Sequence, residues 1–86
     1  MTNKMKIIEA VSPENLQTSL VIIGKKLGRD PQELRTNIDS GIYDAQFENL
    51  DEDQISQLIR ALNNSFMLRM ALLSPSVVKM LRDTLS

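Results

Sequence analysis

The densest group of side chains with chemical potential is acidic: Glu48, Asp51, Glu52 and Asp53. Hard oxygen ligands of this kind suit calcium or magnesium. The spacing lacks the alternating oxygen ligands, central glycine and distal glutamate of a calcium loop. The same residues make good sense as a helix start. Asp51 supplies a side-chain cap, Gln54 completes a capping box, and the acids sit where the positive end of a helix dipole favours negative charge. Elsewhere the chain is poor in reactive groups, with no histidine and no cysteine. That removes the usual general base near neutral pH, the thiol nucleophile, serine–histidine triads, disulfides and most transition-metal sites. No phosphate-binding glycine loop or dinucleotide fingerprint is present. The expectation is a non-enzymatic protein with no catalytic residues, no metal and no cofactor.

Basic residues gather once, as Lys25, Lys26, Arg29 and Arg35. Around them Ile23, Gly24, Leu27, Gly28, Asp30 and Leu34 resemble a helix-turn-helix, in which a tight turn projects a second helix into the major groove. In such an arrangement over residues 20–39, Lys25, Lys26 and Arg29 would meet phosphates. Gln32 and Arg35, with Asn37, would read bases. The pattern departs from the motif at Arg29, where an apolar residue is usual. Glu33 and Asp39 on the second helix would also repel phosphates. An ordinary helical hairpin with solvated lysines is the simpler reading, and DNA binding the alternative one.

The elements that must position these groups follow from size and pattern. A chain of 86 residues forms one domain and buries roughly 60–65% of the surface that its unfolded form exposes. Net charge is −1, so no strong overall attraction to nucleic acid or to an anionic membrane is predicted. The apolar run at the N-terminus stops at Ile7-Ile8 before Glu9, too short for a signal peptide, and no stretch spans a bilayer. A soluble cytoplasmic protein is expected.

Four helices are predicted, at about residues 13–27, 31–40, 51–73 and 75–85, preceded by an arm over residues 1–11 that is partly ordered. Ser12-Pro13, Asp30-Pro31 and Ser74-Pro75 each place a capping side chain before a proline at the first helical position. Glu33 is expected to complete a capping box with Asp30. Gly28 and Gly41 close the first two helices. Ile42, Tyr43 and Phe47 anchor an irregular or single-turn connector. The fold class is therefore all-α, a compact four-helix domain with the third helix central.

That third helix carries the strongest pattern. Ile55, Ile59, Leu62, Phe66, Met70 and Leu73 recur at helical spacing, and only Arg69 is polar between Phe66 and Leu73. Asn63-Asn64-Ser65 are weak helix formers, but the apolar phase continues across them, so one bent helix is expected. Met67, Leu68, Leu72, Val78 and Met80 remain to be covered beside the inner stripe. Contiguous apolar surface of this kind marks interfaces. These five residues are the candidate partner-binding set. A protein partner, or a second copy in a homodimer, is the expected occupant. The expected function is a small interaction module, serving as a regulator, adaptor or assembly factor.

Overall fold

A computed structural model describes residues 2–86. Among them seven helices follow one another: α1 (Asn3–Ala10), α2 (Pro13–Leu27), α3 (Pro31–Ser40), α4 (Asp44–Glu48), α5 (Glu52–Leu62), α6 (Ser65–Ala71) and α7 (Pro75–Thr84). The all-α class is as expected, while the count of four helices is corrected to seven. The Cα radius of gyration is 11.4 Å, against about 12 Å for a well-packed chain of this length. No described helix is long and apolar enough to cross a membrane.

Local chemistry sets most boundaries. Ser12 Oγ accepts from the Asn15 N–H at 3.1 Å, and Asp30 Oδ1 from the Gln32 N–H at 2.9 Å. Gly28 and Gly41 end α2 and α3 with φ of +71° and +87°, where a Cβ would be strained. Asp51 and Gln54 form the predicted capping box, with distances of 2.8 and 2.9 Å. Two expected caps differ. Glu33 turns away from Asp30 to pair with Arg29, and Ser74 shares a hydrogen bond with Ser76 instead of capping α7. Pro75 alone then marks the start of α7.

The arm is a helix. Thr2 Oγ1 caps it by accepting from the Met5 N–H, and Ile7 and Val11, four apart, bury one face. Asn3 fastens it to the end of α4: its N–H donates to Glu48 Oε1 at 2.7 Å, and its amide donates to the carbonyls of Phe47 and Leu50. An eight-residue helix is marginal alone, so these tertiary contacts are what hold it. The connector is α4, anchored by buried Tyr43 and Phe47, whereas Ile42 is exposed.

The long third helix is two helices. α5 ends at Leu62, Asn63 and Asn64 interrupt it, and Asn64 Oδ1 caps α6 by accepting from the Met67 N–H at 3.1 Å. Asparagine favours an N-cap over a helix interior because its side chain competes for nearby backbone N–H groups. The break sits at a junction. Asn63 Nδ2 donates to the Ala10 carbonyl, and Asn15 Nδ2 donates to Asn63 Oδ1. With that helix divided, α2 becomes central, packing against α3, α5 and α6. Its Leu16, Leu20 and Ile23 meet Leu34, Leu58, Leu62, Leu68, Leu81 and Leu85 in one core.

Candidate functional site

The break between α5 and α6 resets the apolar phase and builds the most conspicuous surface of the molecule. Before it, Ile55, Leu58 and Leu62 point inward; after it, Leu68 and Leu72 do so. Phe66, Met70 and Leu73, expected on the inner face, are turned out, with exposures of 71, 54 and 71%. Met67 is exposed beside them. Phe66 and Met70, four apart, share one face of α6, and Leu73 in the turn after it extends them into an apolar ledge open to water. Their inward placement in sequence was an error of phase. The asparagine pair was visible, but only as weak helix formers and not as a cap that restarts the helix.

The five residues expected to bind a partner are divided. Leu68 is 1% exposed and Leu72 is buried, so both belong to the core and are corrected as surface contacts. Met67 lies on the ledge. Val78 is half-buried and lines a groove that begins at the end of α6. Met80 is half-buried on another side, beside Leu50, Gln54 and Asp83 in a mixed polar depression. The apolar surface therefore centres on α6 and the α6–α7 corner, and Phe66, Met70 and Leu73 replace the two core leucines in it.

Next to the ledge runs an open groove between α2 and the α6–α7 corner. One lobe, of about 470 Å³, is bounded by Val21, Ile22, Lys25, Lys26, Arg69, Leu72 and Leu73. A second, of about 360 Å³, continues past Pro75, Val78, Lys79, Arg82 and Asp83. Lys26, Leu72 and Leu73 belong to both lobes. Lys79 is paired with Asp83 at 2.8 Å. The hydrogen bond and charge of that carboxylate raise the pKa of the ammonium above its ordinary value.

The candidate DNA-binding residues also separate. Lys25 and Lys26 are exposed and line the groove beside Arg69 of α6. Arg29 is engaged internally, donating to the Leu85 carbonyl at 2.7 Å, to Tyr43 Oη at 3.1 Å and to Glu33 Oε1 at 3.2 Å. Burial works against its charge, but the hydrogen bonds to Tyr43 and Glu33 outweigh it and its pKa lies above the ordinary value. Arg35 is paired with Asp39 at 3.2 Å. Gln32 is exposed on α3, next to Glu33.

The acidic cluster is occupied with structure. Asp51 caps α5 and Glu48 receives the Asn3 N–H. Among the described residues no three or more acidic side chains are arranged to hold a metal ion. The enclosed space in the core is about 30 Å³ with apolar walls that include Leu16, Leu20, Leu58 and Leu81. It has the scale of a single water, and although Lys4 and Thr84 border it their polar atoms do not face into it. No protein-family model, curated protein or solved structure matches the chain.

Proposed function

We propose that this chain is a small, non-enzymatic, cytoplasmic protein–protein interaction module, a regulator, adaptor or assembly factor, which binds through the apolar surface of α6 and the α6–α7 corner. The observation that carries the reading is the ledge of Phe66, Met70 and Leu73, with Met67 beside it, held in water on a helix of seven residues and the turn that follows it. Leu68 and Leu72 fill the core beneath α6, so the side chains of the ledge are surplus to the fold. Contiguous apolar patches beyond a few hundred Å² usually mark interfaces, and flexible methionines suit a surface that must fit a partner. DNA binding has weaker support. Of its five candidate residues, Arg29 and Arg35 are each paired with a carboxylate four residues on, and the outer face of α3 carries Glu33 and Asp39.

The test is site-specific photocrosslinking in the native host. A photoreactive side chain at position 66 should give discrete protein adducts, and one at position 52, on the far end of α5, should not. Sedimentation over a concentration series tells self-association from a foreign partner. A chain that stays monomeric and gives no adduct from position 66 overturns the reading.

A further inference from the structure

Four cations set the chemistry of the groove beside the ledge. Ten lysines and arginines occur in the chain, and Lys4, Arg29, Arg35 and Lys79 are in ion pairs among the described residues. Of the six others, Lys25, Lys26, Arg69 and Arg82 all line this groove. They stand on both banks, from α2, α6 and α7, above a floor of Leu72 and a wall of Leu73. In a chain with net charge −1, this places unpaired positive charge around one apolar trough. The geometry points to docking of an acidic amphipathic helix from a partner protein, its apolar stripe against Val21, Ile22 and Leu73 and its Asp and Glu residues toward the four cations. This deepens the interaction-module reading and rests on it.

Charge and shape choose among the occupants. In a two-fold dimer centred here, the cations of one copy would face their equivalents in the other, which is repulsive. A bilayer would seat the protruding ledge of Phe66 and Met70, but Lys25, Lys26 and Arg82 line the concavity beside it. An amphipathic helix offers anchors at i, i+3 or i+4 and i+7, a pattern suited to two adjoining lobes that share Leu72 and Leu73. Acidic flanks would speed encounter and set orientation.

The experiment is selection of random displayed 20-residue peptides against the full chain, and in parallel against a Lys25→Glu/Lys26→Glu/Arg69→Glu variant shown by circular dichroism to be folded. The native chain should enrich peptides with apolar residues at helical spacing and acidic flanks. One synthesised winner should bind at least about tenfold more weakly to the variant, and more weakly as salt rises. Its amide shift perturbations should map to Val21, Lys25, Lys26, Arg69, Leu73 and Arg82. Winners with no acidic bias, or winners that bind the variant equally well, overturn the acidic partner. If they still contact Phe66 and Met70, the broader interaction reading stands. Concentration-dependent self-association lost in the variant would make the occupant a second copy. Saturable binding to phosphatidylserine vesicles or duplex DNA that is lost in the variant, with no peptide enriched, would assign the groove to those ligands and overturn the proposal.

Discussion

Ser19 donates its hydroxyl hydrogen to the backbone carbonyl of Leu62 at 2.7 Å, inside the core. Leu62 is the last residue of α5, where helix carbonyls lose their intrahelical partners. Buried carbonyls without partners are destabilising, so a break at Asn63-Asn64 needs this hydroxyl. Ser19→Ala adds no bulk and leaves the carbonyl unpaired. A loss of about 1–3 kcal/mol is expected from urea unfolding. A change below about 0.5 kcal/mol would show that water or a shift of α5 satisfies the carbonyl instead.

Asn64 sets the phase of α6 by accepting from the Met67 N–H. Asn64→Ala should lower stability by about 1 kcal/mol, the usual loss for an N-cap, and Asn64→Asp should retain most of it. Hydrogen exchange at Met67 should quicken in the alanine variant. Unchanged exchange there would mean that α6 is held by the packing of Leu68 and Leu72 alone.

Phe66 and Leu68 lie on opposite sides of the same short helix, and their truncations should diverge. Leu68→Ala empties a fully buried position and should cost about 2–5 kcal/mol. Phe66→Ala removes a ring that is 71% exposed and should change stability by less than about 0.5 kcal/mol. Equal losses in thermal unfolding would place the ring in the core and remove the ledge.

This contrast shows which parts of the fold were legible in the sequence. α2 and α3 were readable from both ends, because Ser12-Pro13, Gly28, Asp30-Pro31 and Gly41 are local signals acting on their own backbone. The acidic start of α5 was readable for the same reason. The arm was not, since α1 is fastened by Asn3 to groups near residue 50, and no local pattern announces such a contact. The site was half legible. Excess apolar side chains near α6 were evident, but which of them face water depends on a rotation at Asn63-Asn64 that periodicity alone carries straight through.

Arg29 joins the α2–α3 turn to the end of α7 through the Leu85 carbonyl and to the start of α4 through Tyr43 Oη. Planar donors serve both acceptors at once, which a single ammonium does less well. Arg29→Ala should lower stability by about 1.5–3 kcal/mol, and Arg29→Lys should recover only part of it. If DNA contact were instead the main work of this residue, both variants would unfold like the native chain and lose only affinity for duplex DNA.

Gly24 and Gly28 lie one helical turn apart and answer to different constraints. A Cβ at Gly24 would sit 2.5 Å from the backbone oxygen of Arg29 and 3.4 Å from the Pro31 ring, so α2 and the turn after it meet too closely for any side chain. At Gly28 nothing lies within 4 Å, but φ is +71°. Gly24→Ala should therefore lose about 1–3 kcal/mol through displacement of the turn, despite the better helix propensity of alanine. Gly28→Ala should lose about 1–2 kcal/mol through backbone strain, and Gly28→Asn less, because asparagine tolerates the left-handed region. Amide shifts separate the two causes. In Gly24→Ala they should spread to Arg29, Gln32 and the Leu85 end of α7, whereas in Gly28→Ala they should stay within the turn. A Gly24→Ala variant as stable as the native chain would mean that α3 is free to move away from α2, and the tight hairpin would lose its support.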